Sequence, residues 1–382
     1  MNNSARAWMW TALAVVAFAW GCSPSDDEGS RDDAGHSDID SATDDHGGGA
    51  DSDADGDTDI VLPDIPDTEA EACDQANFNI ARVIPDMLIV LDRSNSMFDD
   101  GYWNPVRDAI YTVTTAMDTQ IWFGLMIFPN VLDSSICSGL DFQCEPGHGP
   151  LVPVADANHF AIIEQLGPML TCGGTPIADT LYNARTYLDT LAGDGHPKYI
   201  LLATDGAPNC NDALPGGSCR CTSPVALGCM ANPGNCLDDL RTNAVLGDLL
   251  AGGVQVFVLG IGTSSFADVL DAMAVAGGTE HAYFAEDPAT ILPTFEDIAG
   301  MAATCEFDVS EPDPSADPTL VNFYFDDVAV PGDNTDGTCD DGWGWMNAEH
   351  TRVQFCGDYC TAIMTGTVGS IRATWGCPTI IL

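Results

Sequence analysis

From residue 87 the chain alternates short, almost wholly apolar runs with longer stretches in which apolar positions recur every three or four residues. Met87-Leu88-Ile89-Val90-Leu91 is bounded by Pro85 and by the polar pentad Asp92-Arg93-Ser94-Asn95-Ser96, which predicts a buried strand. Ile121 to Phe128, Tyr199 to Ala203 and Val254 to Gly262 predict further strands, with a short segment at Ala282–Ala285. Between them, helices are predicted over Pro105 to about Gln120, Pro176 to Leu191, Leu237 to Leu250, Phe266 to Ala276 and Ala289 to Ala302. The first two open at a proline, which suits a first helical turn. Continuous apolar strands alternating with helices imply an α/β fold with a doubly wound, mainly parallel sheet.

Two inserts interrupt this rhythm, at 129–158 and 207–236. The first carries Cys137 and Cys144; the second carries Cys210, Cys219, Cys221, Cys229 and Cys236. Long irregular segments inside a domain are functional or stapled, and the thiols point to stapling. Cys172 offers itself as a sixth partner for the second group, and Cys73 with Cys305 as a clasp on the α/β region, although pairing is not legible in sequence. After Cys305 the pattern becomes alternating, in Val321 to Phe325, Thr351 to Phe355 and Ile371 to Trp375. Residues 305–382 therefore read as a small disulfide-rich β module, with Cys339, Cys356, Cys360 and Cys377 supplying two bridges, and residues 73–304 as the α/β domain.

Charge changes the picture at the other end. The chain has 11 basic and 58 acidic residues, a formal charge of −47, which repels nucleic acid and anionic surfaces and attracts divalent cations. Between Ser23 and Ala72 there are 18 acids and no aromatic residue, too little apolar surface to offset chain entropy. Residues 22–72 read as an extended acidic tether. Within it, Asp51-x-Asp53-x-Asp55-Gly56-Asp57-x-Asp59 has the opening spacing of a calcium loop, but the twelfth position is Leu62, so a solvated linker is the better reading. Residues 1–21 carry Arg6 and an apolar stretch from Trp8 to Trp20 that is too short to span a bilayer, as in a cleaved export signal. Ala19-Trp20-Gly21-Cys22 resembles a bacterial lipoprotein cleavage box, which would make Cys22 the lipidated residue. Of 15 cysteines, removing Cys22 leaves an even set of 14, as expected for disulfides in an oxidising compartment. By that resemblance, the location is a Gram-negative cell envelope, at the outer membrane or surface, with membrane contact through lipid alone.

The pentad carries the chemistry. Asp92, Ser94 and Ser96 present hard oxygen donors at alternate positions just past a strand. Gly173-Gly174-Thr175-Pro176 places a hydroxyl before a helix, and Thr204-Asp205-Gly206 ends another strand. These three segments resemble the metal-ion-dependent adhesion site (MIDAS, Asp-x-Ser-x-Ser) of von Willebrand factor A domains, over about Met87 to Ala302. The resemblance implies a Rossmann-like sheet and an Mg²⁺ (or Mn²⁺) held by Asp92, Ser94, Ser96, Thr175 and Asp205. It further implies a vacant coordination position for an Asp or Glu of a protein partner. Asp99 and Asp100 resemble the acids that hold an adjacent calcium in the corresponding domains of integrin β chains, against the alternative of a solvated turn.

Nothing in the sequence suggests catalysis. His148, His159, His196, His281 and His350 are scattered, and no nucleophile elbow or phosphate loop occurs. Trp343 and Trp345 suit core packing better than a sugar platform. The expected function is metal-dependent adhesion to a protein partner, the alternative a scaffolding envelope lipoprotein whose metal only stabilises it.

Overall fold

The computed structural model describes residues 76–382 apart from 79, 131–143, 168–172, 224, 226, 264, 311–316, 318–319, 334–338, 377 and 382. The signal segment, Cys22, the acidic tether with its calcium-like loop, and Cys73, Cys137, Cys172 and Cys377 lie outside the described residues.

Two short strands, β1 (Ala76–Phe78) and β2 (Ile80–Arg82), precede β3 (Asp86–Asp92). There follow α1 (Asn95–Asp99), α2 (Trp103–Ala116), β4 (Trp122–Phe128), β5 (Val152–Ala155), α3 (His159–Gln165), α4 (Ile177–Asp189) and β6 (Lys198–Thr204). The α/β region continues through α5 (Gly228–Ala231), α6 (Asp239–Ala251), β7 (Val254–Ile261), α7 (Ala267–Ala276), β8 (Tyr283–Ala285) and α8 (Pro288–Ala302). Its sheet runs β5-β4-β3-β6-β7-β8, parallel throughout except for β5, which pairs antiparallel with β4. This is the doubly wound α/β sheet that the apolar runs predict.

β3 shows why. All seven of its residues are buried, because it lies between two parallel neighbours with helices on both faces. Side chains alternate across a strand. Met87, Ile89 and Leu91 accordingly join one core with α2, α3 and α8, while Leu88 and Val90 join the other with α4, α6 and α7. Each fully buried aliphatic side chain stabilises the fold by about 1.5–3 kcal/mol, so a polar substitution within β3 would damage a core. Helix α2 begins at Trp103, two residues before the expected proline, and Pro105 falls where its missing N–H still lies outside the helical ladder. β5 was not foreseen, since its Pro153 weakens a strand reading; as an edge strand it needs no second partner.

Beyond α8 come β9 (Glu306–Val309), β10 (Val321–Phe325), β11 (Val328–Val330), β12 (Gly342–Trp345), β13 (Arg352–Cys356), α9 (Gly357–Met364) and β14 (Ile371–Trp375). They form two four-stranded sheets, β1-β14-β10-β11 and β12-β13-β9-β2. Residues 76–78 and 80–82 thus hydrogen-bond into these sheets, although the sequence groups them with the α/β region. The chain enters and leaves that region at one place, where the Thr304 hydroxyl donates to the Val83 carbonyl at 2.7 Å and Arg82 donates to the Thr304 carbonyl. Trp343 is buried and meets Phe323 edge-on with ring centroids 4.7 Å apart, so it is core, with Trp345 half-buried beside it.

The disulfides differ from the expected groupings. Cys305 pairs with Cys360, not Cys73, and Cys339 pairs with Cys356, so both bridges lie within the β module. Cys210 pairs with Cys144, so that Cys144 and not Cys172 is the sixth partner of the second insert's cysteines, and the bridge ties the two inserts together. Cys219–Cys236 and Cys221–Cys229 close the second insert on itself. Pairing follows which loops converge above the sheet, a property of strand order that local spacing does not carry. No described helix is long and apolar enough to cross a membrane.

Candidate functional site

The strand order reverses between β3 and β6, since the chain passes from β3 to β4 on one side and later returns to β6 on the other. Their carboxyl ends diverge there and leave a crevice, the usual ligand position in doubly wound sheets. Asp92 ends β3, Thr204 ends β6, and Asp205 follows directly.

Asp92 is fully buried with both oxygens held. Oδ1 accepts the Ser94 amide at 2.7 Å and Oδ2 accepts the Thr204 hydroxyl at 2.5 Å. Thr204 Oγ1 in turn accepts the Gly206 amide at 3.1 Å, so the turn after β6 is fixed against the end of β3. Ser94 occupies the position before α1, where a serine ordinarily caps the helix with its hydroxyl. No such cap forms. Its Oγ instead lies 3.2 Å from Ser96 Oγ and 3.4 Å from Asp205 Oδ1. The Ser96 hydroxyl donates to the same Asp205 oxygen at 2.9 Å.

Thr175 reaches the cluster from the loop before α4. Its amide donates to Asn209 Oδ1 at 2.7 Å and its carbonyl accepts the Asn209 amide at 3.0 Å, pinning this loop to the segment after Asp205. A Cβ placed on Gly206 would stand at ordinary contact distance, 3.6 Å, from the Thr175 hydroxyl, so that hydroxyl lies against the residue following Asp205. Gly173 takes φ +102°, a left-handed conformation that only glycine adopts freely. The structure thus gathers Asp92, Ser94, Ser96 and Asp205 directly and ties Thr175 to them through Asn209 and Gly206. Asp99 and Asp100 are exposed at the end of α1, and the charge of Asp100 adds to the upward push on the Asp205 carboxyl. Thr204 and Asn209 position the cluster, and the sequence assigned neither of them a role. Thr204 belongs to the Thr204-Asp205-Gly206 segment that ends the strand, while Asn209 carries no local signal at all.

The electrostatics are one-sided. Burial pushes the Asp205 carboxyl up to about 8, with the charge of Asp92 adding to it, and burial likewise raises Asp92. Neither carboxylate has a basic partner among the described residues, and the buried Arg93 donates to the Pro129 carbonyl at 2.7 Å. Asp205 Oδ2 is buried without a hydrogen-bond partner among the described residues. A buried, unpaired carboxylate oxygen is costly. Asp205 and the fully hydrogen-bonded Asp92 beside three hydroxyls form an all-oxygen donor set that fits a hard divalent cation. A second group of potential ligand atoms, the Sγ of Cys219, Cys229 and Cys236 within 4.8 Å of one another, is already consumed by disulfides.

No family model matches the chain. No curated protein matches it in sequence. Among solved structures, it is similar to the pilus adhesin SpaC from Lactobacillus rhamnosus GG, with 14% identity over 76% of this chain and 39% of that one, at a TM-score of 0.43. It is also similar to the vWF domain of the type V pili tip protein Mfa5 from Porphyromonas gingivalis, with 13% identity over 58% and 95% of the chains and a TM-score of 0.40. Proximal thread matrix protein 1 from the mussel byssus, with a zinc-occupied MIDAS motif, gives 15% identity over 68% and 52% and a TM-score of 0.39. The chain spans well under two thirds of the adhesin and of the mussel protein. With scores below 0.5, these similarities add nothing to the strand order and side-chain geometry described above.

Proposed function

We propose that this protein is a metal-dependent binding protein that captures an acidic side chain of a protein partner. The observation that carries the reading is Asp205 Oδ2, buried and without a partner among the described residues, on a carboxyl whose other oxygen meets two serine hydroxyls and which lies next to a second buried acid. Ser94, Ser96, Thr175 and Asp205 would hold Mg²⁺ or Mn²⁺, with Asp92 behind them orienting the Ser94 segment. The cation supplies positive charge that neutral hydroxyls leave largely uncompensated, and hence a place for an outside carboxylate. Binding rather than catalysis fits the site, because the serine hydroxyls donate to a carboxylate and no histidine stands among their partners in the described residues.

Five described disulfides support an exported protein working in an oxidising compartment, and cell-surface adhesion by a lipid-anchored chain is the biological setting this reading favours. The test is calorimetric Mg²⁺ titration of the full chain and of Asp205→Ala, with partner capture from intact cells in Mg²⁺ and in EDTA. Metal binding lost in the variant together with EDTA-sensitive capture supports the reading. Metal binding with a large thermal shift and no captured partner would favour a scaffold in which the ion only stabilises. No Mg²⁺ binding by the wild type sinks both.

A further inference from the structure

We propose that the disulfide-held loop between β6 and α6 forms the second half of the binding surface, and that its occupant is a protein segment whose Asp or Glu is flanked by apolar side chains. The proposal rests on the metal-site reading above and specifies the partner of that site. Val225, Leu227 and Met230 are 68%, 71% and 65% exposed, three large apolar side chains within six positions of one loop. Exposed apolar groups clustered in this way mark contact surfaces more often than chance placement does. Here they are also held still. Cys219–Cys236 and Cys221–Cys229 cross-link the loop on both sides of them, and Leu227 is kept at φ +62°, a backbone conformation that disfavours side chains.

The loop is rooted in the metal site itself. Asn209, which accepts the Thr175 amide, donates through Nδ2 to Thr222 Oγ1 at 3.0 Å. Thr222 donates its hydroxyl and its amide to the Asn235 carbonyl, at 2.8 and 2.9 Å. Two hydrogen bonds through Asn209 therefore separate the Thr175 backbone from Thr222, three residues before the apolar cluster.

Charge says what fits there. In a chain with 58 acidic residues among 382 and a net charge of −47, Ala213 to Leu237 contains none. Its one cation, Arg220, is engaged by both oxygens of Asp268 and lies over the Phe266 ring. A partner bringing a carboxylate is repelled by most of this molecule's surface and meets no repulsion over this stretch. An apolar segment bearing one acid matches both halves, its carboxylate toward the cation and its neighbours toward Leu227 and Met230.

The probes are dye-labelled synthetic peptides with a central glutamate flanked by leucines, the same peptide flanked by serines, and a leucine-flanked glutamine control. Binding to the full chain in Mg²⁺ is read by fluorescence anisotropy. The leucine-flanked glutamate peptide is expected to bind at least tenfold tighter than the serine-flanked one, with no binding of the glutamine control. The double variant Leu227→Ser/Met230→Ser should bring that preference below twofold without changing the serine-flanked affinity or the Mg²⁺ midpoint. An unchanged preference in the double variant, or equal affinities in the wild type, overturns the docking surface while leaving the metal site standing. Glutamate binding that persists in EDTA and in Asp205→Ala overturns the metal reading and the proposal with it. A concentration-dependent dimer by light scattering that the double variant abolishes would make a second copy the occupant, and would also overturn the proposal.

Discussion

Replacing Asp205 by asparagine should make the metal-free protein more stable while removing its response to magnesium. The Asp205 carboxyl is raised from 3.8 to about 8 by burial and by Asp92. Every tenfold weakening of an acid is worth about 1.4 kcal/mol, so ionising this group inside the fold at pH 7.5 costs at most about 5 kcal/mol. Asp92 shares that burden and the amide must still fit the donors Ser94 and Ser96, so roughly half, about 2–3 kcal/mol, is the expected gain for Asp205→Asn. In a fold of this size that corresponds to roughly 4–12 °C in Tm. The sign with pH follows from the raised carboxyl. Its contribution to stability is fully present below about 3.8 and is lost as pH rises toward about 8. The gap between variant and wild type should therefore be small at pH 5 and widest above pH 7. The assay is calorimetric melting in EDTA across that range, repeated in Mg²⁺. Magnesium at a hundredfold its Kd should restore about 2.7 kcal/mol to the wild type and nothing to Asp205→Asn. A variant that melts below the wild type in EDTA at pH 7.5, or gains as much from Mg²⁺, refutes the idea that two buried acids wait for a cation.

The same competition between protons and metal predicts that the Mg²⁺-induced shift of the wild type grows from pH 5 to pH 8, which melting at saturating metal would reveal; a flat profile counts against it. Thr204→Val removes the hydroxyl that holds Asp92 Oδ2 and should cost about 1–3 kcal/mol by denaturant titration, with weaker Mg²⁺ affinity by calorimetry. Breaking the 66-residue loop with Cys144→Ser/Cys210→Ser should cost about 4 kcal/mol on the chain-entropy estimate, measured by guanidinium unfolding. Phe323→Ala, deep in the aromatic core of the β module, should cost about 3–5 kcal/mol there and leave the Mg²⁺ midpoint unmoved.

The sequence by itself determined the α/β core, because a strand buried on both faces must be apolar throughout, and Met87 to Leu91 or Tyr199 to Ala203 have no other way to satisfy that condition. It also supplied the oxygen donors, since Asp92, Ser94 and Ser96 are local to one turn. Three things were decided only in three dimensions. Strand order put the end of β6 beside that of β3 and so gave Asp205 its serine partners across more than a hundred residues. Loop convergence paired Cys144 with Cys210 and Cys305 with Cys360. Antiparallel pairing drew residues 76–78 and 80–82 into the C-terminal sheets. Local residue patterns record the solvent each side chain will meet; they hold no information on which distant backbone a hydrogen bond or a sulfur will find. For that reason the roles of Thr204 and Asn209 became visible only once the chain was folded.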